Sequence, residues 1–305
     1  MRKILFIVLA FFWGIETFGQ IDMTDSTVKV VSYWGLNEKQ SYIVTEEKYK
    51  VKDNDTTSRE FSKYSVDITV VDSTANSYIV DWFYKDYEIK TDNELVKKVM
   101  SIAEDMTVKI KTDELGVFQE VINWKEIRDY MLKATKVLIK ETQNIPNMDK
   151  FIKQIEGVYG TKASIEAAAI KEIQQFHTFH GASYKLGQDY FADMKLANLY
   201  GGEPFDAKVA VWLDEINPVD NNYVIRMEQT VDSIQLTNAT FEYLSKMSET
   251  LKIPLPKKEE IPTVKNTIWT ASRIHGTGWV IFSVETKETE SDGIMGVEER
   301  KIEIQ

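Results

Sequence analysis

Apolar and polar residues alternate through most of this chain with a period of two, the pattern of strands buried on one face. Ser41 to Thr45 and Glu47 to Val51 mix aromatic and β-branched residues with charge. They predict one long strand that ends in the turn cluster Lys52-Asp53-Asn54-Asp55. Ser65 to Val71 puts Val66, Ile68 and Val70 on one face and Asp67 and Thr69 on the other. Asp72 to Ser77 then turns the chain, and Tyr78 to Tyr84 returns it. A helical period follows, with Val96, Val99, Ile102 and Met106 spaced by three and four. Thr107 to Ile110 and Val117 to Ile122 read as a hairpin around Asp113-Glu114-Leu115-Gly116.

The middle of the chain, Asn123 to Phe179, keeps the helical period. Trp124, Ile127, Met131, Ala134 and Leu138 form a seam that needs a partner surface. After Pro146 a second helix begins at Met148 and ends at Gly157 to Gly160. Lys162 to Phe179 predicts a third. From Gln188 strands resume, with Phe205 to Leu213 and Tyr223 to Val231 flanking a turn that holds Pro218. Asn238 reads as the N-cap of a helix running to Leu251, and Pro254, Pro256 and Pro262 mark a stiff connector. Three further strands, Thr267 to Ile274, Trp279 to Thr286 and Glu298 to Ile304, complete the chain.

The order strand, turn, strand, helix, strand, turn, strand occurs twice. Val66 to Asp72 lies against Lys208 to Asp214 at an offset of 142, and Tyr78-Ile79-Val80 against Tyr223-Val224-Ile225 at 145. The second offset carries through the helices, matching Val96 with Phe241 and Met106 with Leu251. The expected fold is therefore α+β: antiparallel sheet from two duplicated β-β-α-β-β units, with a three-helix insert packed on one face. The expected division is a signal peptide at 1–19, an N-terminal α+β unit at 20–122, the helical insert at 123–180 and a C-terminal α+β unit at 181–305. The alternative is a single domain over 20–305.

The signal peptide rests on Arg2-Lys3, an apolar run from Ile4 to Trp13, and Thr17-Phe18-Gly19 ahead of a cleavage point before Gln20. The run is about half the ~20 residues of a membrane helix, so the chain is expected in the periplasm or outside the cell, with no span after cleavage. The chain has no cysteine. Thiol nucleophiles, cysteine metal sites and disulfides are excluded, and so is a lipid anchor on an N-terminal cysteine. The net charge of −11 becomes −12 once Arg2, Lys3 and Glu16 are removed, which argues against nucleic acid as a partner.

Candidate chemistry is sparse, and no cofactor is expected. His177 and His180 are three apart on one helix face, a spacing that can begin a zinc site with Glu172 or Asp189. The alternative is that they and Gly181 close a helix. Gly276-Thr277-Gly278 leads into a strand, so it reads as a hairpin turn rather than a phosphate loop. Asp214 and Glu215, beside Trp212, are the carboxylates to consider for a glycan hydrolase. Trp82, Tyr84, Tyr190, Tyr200, Trp212, Trp269 and Trp279 lie in or beside strands and either fill the core or line an apolar pocket. Trp82, Tyr84, Trp212, Trp269 and Trp279 are the ligand-binding candidates.

The Thr17-Phe18-Gly19-Gln20 signal, the repeated hairpins and the Leu115-Gly116-Val117 turn before a helix are similar to uncharacterised exported proteins of Gram-negative bacteria. The resemblance covers most of the mature chain as pattern, carries no diagnostic motif and transfers no functional residue. It implies an exported α+β binding or accessory protein. Three readings follow: a non-catalytic module binding a small apolar ligand or an envelope protein, a carboxylate-dependent hydrolase, and a structural protein of the envelope.

Overall fold

The computed structural model describes residues 20–91, 104–141, 148–198, 202–251, 254 and 257–305. The signal peptide at 1–19, the helix over Val96, Val99 and Ile102, and Tyr200 lie outside the described residues.

The strands form where apolar residues alternate. They are β1 (Ile21–Asp22), β2 (Thr27–Lys29), β3 (Lys39–Lys52), β4 (Asp55–Thr74), β5 (Ser77–Lys90), β6 (Thr107–Asp113) and β7 (Phe118–Val121) in the first part of the chain. The second part holds β8 (Ser183–Lys185), β9 (Asp189–Leu196), β10 (Phe205–Asn217), β11 (Asn222–Val231), β12 (Lys265–His275), β13 (Val280–Ser291) and β14 (Ile294–Ile304). Five α-helices are present among the described residues: α1 (Trp124–Glu141), α2 (Met148–Tyr159), α3 (Lys162–Ala168), α4 (Lys171–His177) and α5 (Ser233–Leu251). The α+β class and the antiparallel pairing agree with the sequence. No helix among the described residues is long and apolar enough to cross a membrane.

Eleven strands make one antiparallel sheet in the order β7-β6-β5-β4-β3-β14-β13-β12-β11-β10-β9, and β1-β2-β8 form a small second sheet. The last strand, β14, pairs with β3, so the C-terminal strand lies at the sheet's centre beside the first of its strands in chain order. The turns suit their sequences. Asp53 and Asn54 both take positive φ between β3 and β4, as do Asp292 and Gly293 between β13 and β14, the geometry of two-residue hairpins that match strand twist.

The sheet is rolled rather than flat. Between β6 and β13 lie five strand spacings, about 24 Å in a flat sheet. Yet Ser32 N–H donates to Leu115 O in the β6–β7 turn at 3.1 Å, while the next residue, Tyr33, donates to Thr277 O in the β12–β13 turn at 3.0 Å. Two distant turns therefore converge on two consecutive residues, which requires strong curvature. A cluster of Trp34, Phe176, His177, His180 and Trp279 fills this closed end. Gly278 has φ +85°, and a Cβ there would stand 2.6 Å from Val31 O, so only glycine admits this approach.

The helices lie in the concavity, with α4 over β13 and β14 and α5 over β10 and β12. Ile127 and Met131 of the α1 seam are buried. The helix expected over Lys162 to Phe179 is instead two. Thr161 caps α3 through a capping box with Ser164, and Ile170 leaves the helical region at φ −126°, ψ 40°. Ile165 on α3 and Ile170, Ile173, Phe176 and His177 at and after the break are all buried.

Candidate ligand cavity

Between the rolled sheet and the helices lies a cavity of about 920 Å³. Its wall changes character in strand order. At β4, β5 and the facing helices it is phenolic, with Tyr64, Tyr84, Tyr87 and Tyr159. Tyr64 stacks on Tyr87 with ring centroids 4.8 Å apart. At β9 to β12 and α5 it is apolar and mostly aliphatic, with Leu196, Met227, Val231, Leu236 and Ile268 beside the ring of Phe205.

Between these two ends, β3, β14 and β13 carry charge on the inward face. Strand alternation places Glu46 and Lys48 on the same face as the buried Val44, and Arg300 and Glu298 on that of the buried Ile302. Register then aligns them into two rungs. In the first, Glu46 and Glu285 sit opposite Arg300 on either side. The second sets Lys48 and Lys287 about Glu298. The rungs are two residues apart, about 7 Å along the strands.

The first rung is closed on itself. Arg300 donates through Nε to Glu46 at 2.8 Å and through Nη1 to Glu285 at 3.1 Å and Gln175 at 3.3 Å, with its side chain 10% exposed. Burial disfavours its charge, but Glu46, Glu285 and Glu172 overcome this and hold it protonated at every accessible pH. Gln175 also donates to Ser283 Oγ at 2.9 Å, which seats α4 on the sheet. One turn earlier, Glu172 accepts a hydrogen bond from Tyr84 Oη in a fully buried position. Burial raises the Glu172 carboxyl above its ordinary range, with Arg300 and the Tyr84 hydroxyl acting against this. Burial also raises the Tyr84 phenol, helped by the charge of Glu172.

The second rung is open. Lys48 lies 3.8 Å from Glu298, while Lys287 and the nearby Lys171 have no ion-pair partner among the described residues. Lys171 is exposed, yet the partial desolvation of its ammonium lowers it below its ordinary range. Arg300, Lys48 and Lys287 add to this, and Glu298 opposes it. Glu298 is raised by burial, yet Lys48, Lys287, Lys171 and Arg300 hold it below the usual carboxylate range.

Of the five ligand-binding candidates from the sequence, only Tyr84 lines the cavity. Trp82 is fully buried with its ring against Phe176 at 5.3 Å, a core position. Trp279 stacks on Trp34 at 4.7 Å and donates Nε1–H to Glu38 at 2.6 Å. Trp212 faces away from the cavity, opposite Arg226 of β11. Trp269 is 41% exposed on the outer face, because its neighbour Ile268 takes the inward position. Asp214 and Glu215 are on the surface too, bound to Arg226 at 2.8 Å and to Arg273 through both guanidinium nitrogens at 3.1 Å.

His177 and His180 do come together, with ring centroids 5.3 Å apart. No group of three or more potential metal ligands gathers among the described residues. Each ring instead holds a turn: His177 Nδ1–H donates to Gly116 O at 2.8 Å, and His180 Nε2–H to Gly278 O at 2.9 Å. Burial lowers His177 to about 3, with His180 adding to the effect, and lowers His180 to about 4. Both are neutral staples that fasten the β6–β7 and β12–β13 turns across the roll.

Sequence reasoning passed over the charged rungs. The available signal was the i, i+2 recurrence of charge on strand faces that also carry core residues, as in Val44, Glu46 and Lys48. The chain matches no protein-family model and none of the curated proteins with which it was compared.

Proposed function

We propose that the protein is an exported, non-catalytic binding module that holds a small, largely apolar molecule between the rolled sheet and the helices. The observation that carries this reading is the cavity. Its 920 Å³ falls within the range of about 300 to 1,000 Å³ typical of ligand sites. It equals the liquid volume of about thirty waters. An aliphatic end formed by side chains such as Met227, Leu236 and Ile268 would cost free energy if hydrated, and about 0.8 kcal/mol is recovered for each ligand methylene buried there. Arg2-Lys3, the apolar run and Gly19 support export.

The duplicated architecture belongs to the same reading. At the offset of 145, Val80, Trp82 and Tyr84 correspond to Ile225, Met227 and Gln229. Both sets occupy alternate, inward positions of β5 and β11, each the third strand from an edge of the large sheet, so two related units would each contribute one wall, with the helical segment over both. Native mass spectrometry of the protein purified from a Gram-negative periplasm tests the function. A co-purifying mass that is lost on denaturation is expected. A bare chain that also takes up no apolar probe would refute the reading.

A protein partner is the second reading, favoured by the edge strand β9. Among the described residues only β10 pairs with it, and it presents Phe191, 77% exposed. Such an edge can accept a further strand.

A further inference from the structure

We infer that the cavity's ligand is an anionic single-chain amphiphile, its carboxylate or phosphate head on Lys171 and Lys287 and its chain along the aliphatic wall. This rests on the cavity reading above and adds the head group and the orientation.

The charge distribution supports it. The protein carries a net −11, yet three lysines face one carboxylate at the second rung: Lys48, Lys287 and Lys171 against Glu298. Glu298 is already shared among them. Lys171 and Lys287 have no other ion-pair partner among the described residues, so two ammonium groups remain for a ligand. The cations of this locus also work against one another, and Arg300, Lys48 and Lys287 all disfavour the charge on Lys171. An anion placed between Lys171 and Lys287 would relieve that repulsion and accept charge-assisted hydrogen bonds from both.

Arg300 is not the anchor, because Glu46, Glu285 and Gln175 already occupy its donors. A cationic head is disfavoured at the open rung for the same reason that an anionic one is favoured. The geometry also sets the direction of the chain. Lys287 is directly paired with Ile268, which is paired with Gln229, and Met227 and Val231 flank Gln229 on its own strand face. An alkyl chain leaving the lysines therefore meets the aliphatic wall at once, whereas the opposite direction across the strands leads over the charged pair Glu298 and Lys48 towards β4.

The test uses the full chain expressed with its leader, purified and stripped of bound lipid on a lipophilic resin. Four probes with one C12 chain are titrated calorimetrically below their micelle concentrations: dodecanoate, dodecyl phosphate, dodecanol and dodecyltrimethylammonium. The two anions should bind at least about tenfold more tightly than the alcohol or the cation. Their ranking distinguishes a fatty-acid head from a phosphate head. Lys171→Gln with Lys287→Gln should erase the anion preference and leave dodecanol affinity within about twofold, since the aliphatic wall is untouched. Dodecanol binding as tightly as the anions, or the cation binding best, would overturn the head-group inference while leaving the cavity reading intact. Binding of no probe would overturn both. The comparison among probes needs only the unaltered protein, so it stands even if the double variant fails to fold.

Discussion

Acid should destabilise this protein through the two buried histidines. His177 and His180 are fully enclosed, and their imidazoles stay neutral down to about pH 3 and about pH 4 in the fold. In the unfolded chain both titrate near the ordinary value of about 6.5. Their folded values are thus depressed, and below pH 6.5 the unfolded state binds more protons. The stability they sustain is whole above pH 6.5 and is lost progressively as pH falls towards 4 and then 3. At pH 5 each ring lies about 1.5 pH units below its unfolded value and has scarcely begun to titrate in the fold. At about 1.4 kcal/mol per unit, each therefore costs about 2 kcal/mol, and the pair about 4 kcal/mol. That is a large share of the roughly 5–15 kcal/mol of a typical domain.

Glu172 has the opposite sign, since its carboxyl is raised in the fold and folding favours its protonated form. The histidine effect must therefore be read as a difference between proteins. His177→Asn and His180→Gln keep an N–H towards Gly116 O and Gly278 O and remove the titration. Urea unfolding at pH 7, 6 and 5 would give the stability of the native protein and the double variant. The native protein should lose about 4 kcal/mol more than the variant between pH 7 and pH 5. A difference below about 1 kcal/mol would refute the claim that neutral imidazoles fasten the roll.

Other outcomes follow from the same contacts. Gly278→Ala should cost about 2 kcal/mol or more, because it forces a side chain at φ +85° into Val31 O, and an unchanged melting temperature would contradict the converging turns. Arg300→Met leaves Glu46 and Glu285, on either side of it, without their shared cation and should cost about 3 kcal/mol in urea unfolding. Trp82→Ala should cost about 3–5 kcal/mol as a core truncation, whereas Trp269→Ala, on the outer face, should stay within about 0.5 kcal/mol. Tyr84→Phe removes the donor to Glu172 and should cost about 1–3 kcal/mol, measured by thermal unfolding at pH 7.

Local physics made most of the secondary structure legible in the sequence. Val66, Ile68 and Val70 alternate because one face of β4 is buried, and Asp53-Asn54 turns because those residues tolerate positive φ. The α1 seam was equally plain, as was the hairpin nature of Gly276-Thr277-Gly278. The break at Ile170 was not, because nothing in its helix propensity calls for it. It shows only in the backbone, where Ile170 leaves the helical region at φ −126°, ψ 40°.

The site was scarcely legible, for a reason of the same kind. An aromatic residue on a strand carries no mark of which sheet face is lined by core and which by a cavity. Tyr84 and Trp82 share a face, yet only Tyr84 reaches the cavity, because Phe176 of α4 covers Trp82. The charges of β3, β13 and β14 look like solvated surface one strand at a time. They become rungs only when β14, the last strand, pairs with β3 and brings Glu298 and Arg300 beside residues some 250 positions away. By itself the sequence determined what each segment prefers, since propensity and period are local. The roll of the sheet, the stapling of its turns and the sharing of charge across strands were decided by tertiary structure, because each depends on which distant segments are neighbours.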